Sequence, residues 1–545
     1  MKRIILSFFI LHFSFSISEA QQIDLTQEGL EGIELDYVGS ANANGKTGIY
    51  RDLTYWNRFG VRFRGWNGGQ LAHSLSLPGG NTFWAFGDSF FGLISENRTR
   101  KRELNNQPRN AAIMQTGEAT EHDFIDLNEY VGTSLTDLTT YYKGKTWLRH
   151  PDATLAQTAI DKGEIDTDYY YWPEDATLVN TADGTEMQML LTGYDADGNY
   201  LETTLARFAV EEENVTLKSL RRNVCNSSVR YGTALLEDGD HVYLYGCVPT
   251  GTMAGGTYAV VARTQTRSLN SPWEYYVKGS DGTWSWQATM PEGDQQKRSN
   301  ITTSYRVEHP SVFKYGDRYY MCSLDKISGG IYMMQASNPW GPFSNRKLLC
   351  TMPSEQKNTS RVVVHPQLSR MGEIVLSYNM IPADATVSNV FNSQQDTENM
   401  GSVEIETFIE GPDRNFGRWV SADLCQPHFY RIFNWQTIYG ITNTGPLTDA
   451  ALIDIPTGID SPLVSPQGEP DGIALTWLAN QKAVNIQPAD NGGTCTWTIT
   501  RADGTIIRTG TAAVQQTVGL DTLPAGVYIV TARQQHKTAV VKILL

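Results

Sequence analysis

Cysteine is scarce in this chain: six in 545 residues, at positions 225, 247, 322, 350, 425 and 495. That is too few for a fold stapled by disulfides, although Cys225/Cys247 and Cys322/Cys350 are spaced as local pairs that could bridge neighbouring strands. No CxxC or Cys/His cluster occurs, so no zinc site is expected, and no loop motif supports calcium. No cofactor or metal is predicted. Basic charge is also short: a formal net charge of −15 and no block of like charge disfavour nucleic acid or an anionic membrane as partner. Beyond the first twenty residues no apolar run is long enough to span a bilayer, so no transmembrane segment is expected. No long stretch carries the 3.6-residue period of an amphipathic helix.

What remains is β-structure. Short runs of Val, Tyr, Phe and Leu alternate with Gly, Asp and Asn turns, which predicts an all-β protein. The length exceeds one ordinary core. Lys2-Arg3, an apolar run to Ile17, and Ser18-Glu19-Ala20 before Gln21 read as a secretory signal peptide over residues 1–20. A Gly/Pro/Ser/Asp-rich stretch, 456–470, reads as a linker between a body over 21–455 and a module over 471–545. In that module, strands are expected at Ala483–Ile486, Thr494–Thr500, Thr505–Gly510, Val527–Arg533 and Ala539–Leu544, as a small C-terminal β-sandwich.

One hairpin pattern recurs five times in the body. Its copies are Ala72–Leu77 with Thr82–Asp88, Asp175–Val179 with Met187–Gly193, Tyr231–Leu236 with His241–Gly246, His309–Phe313 with Arg318–Cys322, and His365–Ser369 with Glu373–Tyr378. Five such hairpins predict the inner strands of a five-bladed β-propeller, with a sandwich of similar hairpins as the alternative.

In a propeller, the loop before each first strand and the loop after each second strand share one face. That places Gln70, Glu174, Asp175, Arg230, Tyr231, Glu308, His309 and His365 around one mouth, with Asp88, Asp195, Cys247, Asp325 and Asn379 opposite them. Glycoside cleavage needs two carboxyl groups flanking the bond, one to protonate the leaving oxygen and one to activate water or attack. Asp88, Asp175 and Glu308 come from three different hairpins and are the catalytic candidates. Neighbours on an extended strand point opposite ways, so only one of Glu174 and Asp175 should face the centre. Trp66 and Trp172 could stack on sugar rings; Gln70, Glu174, Tyr231, His309 and His365 complete the substrate-binding candidates. Each has a structural alternative: Asp88 as a turn residue, the histidines and tryptophans as packed interior groups. Asp195 and Asp325 read as turn residues.

Five stretches also carry a family likeness. Gly65-Trp66-Asn67-Gly68-Gly69 and Leu77 to Phe90, with Tyr171-Trp172-Pro173-Glu174-Asp175-Ala176, Glu308-His309-Pro310-Ser311-Val312 and Met334 to Phe343, resemble a bacterial domain-of-unknown-function family over roughly residues 50 to 445. That family is distantly related to five-bladed propeller glycosidases, arabinan-cleaving enzymes among them. The resemblance implies a carbohydrate substrate and a carboxylate-based site. One departure stands out. The related glycosidases hold their base in the loop before the first hairpin, where this chain has Gln70, and an amide cannot accept a proton from water. Asp88 then serves as base, or the protein binds glycan without cleaving it; a surface adhesin is a further alternative. Leu523 to Val530, Thr538 to Leu544 and Ile499 to Thr505 resemble the C-terminal sorting domain of type IX secretion. That implies the outer-membrane secretion machinery as partner, and release or attachment at the cell surface; an immunoglobulin-like spacer is the alternative.

Overall fold

The computed structural model describes residues 33–40, 47–94, 100–116, 123–153, 169–249, 256–351, 359–380, 425–440 and 473–544, less short interior gaps. The expected signal peptide and linker lie outside them. Packing divides the chain into two compact units that part between Ile455 and Pro456.

The first unit begins with β1 (Leu35–Ser40), β2 (Gly48–Asp52) and a short helix, α1 (Leu53–Gly60), which buries Tyr55, Trp56 and Phe59. Asp52 caps that helix, its Oδ1 accepting the Tyr55 N–H at 3.0 Å. There follow β3 (Arg64–Gly69), β4 (His73–Ser76), β5 (Thr82–Phe86), β6 (Ser89–Ile94), β7 (Arg100–Asn106), β8 (Ala111–Thr116) and β9 (Asp123–Asp126). Strands β4, β5, β8 and β9 form the first large sheet, and β3, β6 and β7 a small side sheet. The second sheet is β10 (Tyr170–Thr181), β11 (Gly184–Tyr194), β12 (Tyr200–Val210) and β13 (Val215–Cys225). The third is β14 (Arg230–Asp238), β15 (His241–Pro249), β16 (Thr257–Thr264), β17 (Trp273–Lys278) and β18 (Trp284–Gln287). The fourth is β19 (Glu308–Tyr315), β20 (Arg318–Asp325), β21 (Gly330–Ala336) and β22 (Ser344–Thr351). The fifth runs β23 (Thr359–Val364), β24 (Ile374–Met380), β25 (Pro427–Phe433), and is completed by β2 and β1.

All of these sheets are antiparallel, and in the second to fourth each strand pairs with the next in sequence. The first strands β4, β10, β14, β19 and β23 neighbour one another in chain order. Burial follows position within a sheet. Second strands such as β11 and β20 are buried on both faces, as their apolar runs Met187–Leu191 and Tyr319–Cys322 require. The outer strand β13 is mostly exposed and carries Lys218, Arg221 and Arg222, charges that keep a free edge from pairing with another chain.

Four of the five recurring hairpins form from the expected segments. The fifth is displaced. His365–Ser369 does not form a strand; Pro366–Leu368 is a 3₁₀ turn, and the pairing strand lies upstream at Thr359–Val364. Pro366 has no N–H to donate to a ladder, so pairing stops at His365, whose N–H reaches Val375 O at 2.7 Å.

The fifth sheet joins distant parts of the chain. Arg431, on β25, is about 1% exposed and donates through Nε to Asp52 of β2 at 2.6 Å and through Nη1 to Glu373, both equally buried. Its Nη1 also reaches Leu368 O at 3.2 Å.

The second unit has two sheets, β26 (Ala474–Leu478), β27 (Ala483–Gln487) and β30 (Gln516–Gly519), and β28 (Cys495–Arg501), β29 (Ile506–Ala512), β31 (Val527–Gln534) and β32 (Lys537–Leu544). They share a core that includes Val484, Ile486, Trp497, Ile499, Tyr528 and Val530. The five expected strands are present; β26 and β30 are additional. All six cysteines are buried free thiols, so neither local pair is bridged.

Arg431→Met should leave two buried carboxylates facing an apolar group and lower the stability of the first unit by about 3–5 kcal/mol. Denaturant melts of the purified chain check this; an unchanged midpoint for the larger unit contradicts it.

Candidate active site

The inner strands do not run as simple ladders. In β10, Pro173 lies opposite Leu191 and Ala176 opposite Met189, so Glu174 and Asp175 together face the single residue Leu190. In β19, Glu308 lies opposite Leu324 and Ser311 opposite Cys322, so His309 and Pro310 face Ser323. Each is a β-bulge, one extra residue that re-aims side chains. His309 pays for its place with a left-handed backbone, φ 44°, which a non-glycine residue adopts only where its surroundings hold it.

The β10 bulge overturns the expectation that only one of the two acidic neighbours faces inward. Both reach His73 at the start of β4: Glu174 Oε2 lies 3.9 Å from His73 Nε2, and Asp175 Oδ1 lies 3.9 Å from His73 Nδ1. His309 Nε2 is 3.0 Å from Glu174 Oε2, and the two imidazole centroids are 5.6 Å apart. The first, second and fourth sheets thus meet at one cluster of two imidazoles and two carboxyls.

The two carboxyls are held differently. Burial favours the neutral form of Glu174, but hydrogen bonding and charge from His309, the charge of His73 and the Thr192 hydroxyl outweigh it and hold its pKa at about 2. Burial pushes Asp175 up to about 7, helped by the charges of Glu174 and Glu237 and opposed by the amides of Leu235 and Ala176, which it accepts at 2.8 and 2.9 Å. A quarter of the Asp175 side chain still reaches solvent.

Asp88 lies just past β5. Its Oδ1 accepts the Trp172 indole N–H at 3.0 Å and pairs with Arg109 at 3.2 Å. Arg109 stacks over Tyr170, 3.4 Å from the ring centroid; Tyr170 stacks on Tyr194, and Arg230 donates to the Tyr194 hydroxyl at 3.1 Å. Gly87 makes this approach possible, because a Cβ there would come within 3.2 Å of the Trp172 ring. The backbones of Gln70 and Asp88 are bonded to each other and through Gly87, and Asn379 clamps the same loop, accepting the Leu71 N–H at 2.9 Å and donating to Gly69 O at 2.8 Å. The loop before β4 and the loop after β5 are therefore side by side. The half-buried Glu308 opens β19, and Cys247 lies within electrostatic reach of Arg230, Glu308 and Glu174.

Three substrate-contact candidates lie in the interior. Trp66 is fully buried against Phe59 and Phe86. Tyr231 is buried between Trp273 and Tyr275. His365 is fully buried between the Ser74 and Ser377 hydroxyls, at 2.6 and 2.7 Å, and burial together with the charge of His73 lowers its pKa to about 3, so it stays neutral. These side chains hold sheets together. Trp172, 8% exposed, is committed to Asp88. Asp195 is a turn residue, accepting the N–H groups of Asp197 and Asn199. Asp325 also starts a turn, its carbonyl accepting the Gly329 N–H at 2.9 Å, and its buried carboxylate pairs with Arg346 and Arg306. His73, Arg109, Tyr170 and Tyr194 escaped the sequence reading. His73 is the first residue of β4, a place that matches the other first-strand starts; Arg109 precedes a third strand and carries no such signal.

A family profile described as a domain of unknown function matches residues 52–435. The chain belongs to the DUF5005 family. A crystal structure of a Bacteroides ovatus protein, provisionally named a hydrolase, is 32% identical to this DUF5005 chain, covers 79% of it and all of that protein, with a TM-score of 0.64. Fainter likenesses link the DUF5005 body to a Xanthomonas citri GH43_1 enzyme complexed with xylose (15% identity, 57% of this chain, 81% of that one, TM-score 0.32). A GH43 β-xylosidase/α-arabinofuranosidase from a compost metagenome is similar at 14% identity, over 57% of this chain and 85% of that one, with a TM-score of 0.32. No curated protein matches the chain.

If His365 is structural, His365→Leu takes the imidazole partner from the buried Ser377 hydroxyl and should cost about 1–3 kcal/mol in thermal or denaturant unfolding. Glycan binding by the folded fraction should be unchanged; weakened binding at full stability contradicts the interior role.

Proposed function

We propose that this protein is an exported glycoside-hydrolase-like enzyme whose body is a five-bladed β-propeller acting on a poly- or oligosaccharide. The observation that carries this reading is the gathering of Glu174, Asp175 and His73 from the second and first sheets with His309 of the fourth; Glu308 precedes His309 on β19, and Asp88 bonds Trp172, two residues before Glu174. The neighbouring first strands, and the Ser74–His365 bond between the first and fifth sheets, support the propeller. The hydrolase name of the Bacteroides ovatus relative agrees with bond cleavage by water. Export rests on the residues at 1–20 and on the likeness of the second unit to a secretion-sorting domain.

In this reading Asp88 is the base. Its ion pair with Arg109 and bond from Trp172 fix one carboxyl oxygen and leave the other to draw a proton from water. Glu308 is the acid that protonates the departing glycosidic oxygen, and Asp175 sets the charge around it.

The purified chain should release sugars from at least one member of a diverse glycan panel. Asp88→Asn, Asp175→Asn and Glu308→Gln should each cut the rate by about 10²–10⁴ with circular dichroism unchanged. Near-normal turnover in all three removes the assignment. Retention of a glycan without release of reducing ends by the wild type replaces cleavage with binding.

A further inference from the structure

We propose that His73, Glu174 and His309 form a binding site for one divalent transition-metal ion, with zinc as the best-suited ion, at the meeting point of the first, second and fourth sheets. Their candidate ligand atoms all lie within 4.8 Å of one another. Two imidazoles and one carboxylate are a donor set that zinc accepts as three protein ligands with a fourth position open. Calcium takes six to eight oxygens, and here two of three donors are nitrogen.

The surroundings are arranged as ligands require. Glu174 Oε1 accepts the Thr192 hydroxyl at 2.7 Å, which turns Oε2 toward both histidines. Asp175 Oδ1 lies 3.9 Å from His73 Nδ1, too far for a hydrogen bond, while Nε2 is the ring atom that approaches Glu174. The strained backbone at His309 brings the third donor to the same Glu174 oxygen. Without an ion, that single oxygen serves two imidazoles. His73 and Glu174 are buried, whereas His309 and Asp175 keep some exposure, so the open coordination position faces their side. The ion would tie three inner strands together and present a polarised water beside the carboxyls. The site shares its residues with the proposed active site, but its test is separate from the glycosidase reading, since metal uptake is measured without turnover.

The test uses the full chain, stripped with chelator and titrated calorimetrically with zinc chloride and, separately, calcium chloride; bound metal is counted by mass spectrometry. The expected result is about one zinc per chain, a raised melting temperature, and no displacement by excess calcium. His309→Gly removes a ligand and relieves the left-handed backbone but costs Glu174 a partner, so its melting curve is recorded beside the wild type and binding is compared on folded protein. It should weaken zinc binding at least about 100-fold, since even partners behind the ligands are worth 10–100-fold. Wild-type protein that takes up no more zinc than His309→Gly, or that binds calcium in preference, overturns the proposal.

Discussion

One extra residue in an inner strand governs what the centre of the first unit presents. A regular β10 would send Glu174 and Asp175 to opposite faces, and only one would meet His73. The bulge opposite Leu190 turns both toward it, and the corresponding bulge in β19 swings His309 onto Glu174. The cost is local: an unpaired ladder position in each strand and a left-handed histidine. The return is a polar cluster built from three sheets whose second strands are largely buried on both faces.

Polar groups this deep survive because they satisfy one another. Glu174 answers to Thr192 and His309, Asp175 to two amides, Asp88 to Arg109 and Trp172. The same rule holds in the fifth sheet, where Arg431 is held between Asp52 and Glu373. Removing one partner from any of these sets is costly, whereas the exposed Arg222–Asp152 pair on β13 contributes little.

Much of the architecture was legible because hairpins are local. Turn residues and alternating apolar runs mark both strands of a pair, and four of the five repeats form where that pattern lies. The fifth shifted because Pro366 ends a ladder that the apolar pattern alone would continue. The completion of the fifth sheet by β1 and β2 left no local mark: Asp52 and Arg431 are 379 residues apart. Bulges were invisible for a related reason. A bulge is a mismatch of count between two strands, so neither strand's sequence contains it. Asp88, Asp175, Glu174 and His309 were nonetheless singled out by their places at strand starts and ends. Trp66, Tyr231 and His365 share those places and residue types, and only packing separates a channel group from a core one.

The central claim is that carboxyls from distant segments serve one sugar. A crystal structure of the Glu308→Gln variant with a bound oligosaccharide tests it most directly. The account predicts a sugar ring at the inner ends of β4, β10 and β19, within hydrogen-bond reach of Asp88 or Asp175. A sugar bound only elsewhere, for example on the Trp284 and Trp286 face of the third sheet, with the inner-strand carboxyls untouched, would contradict it.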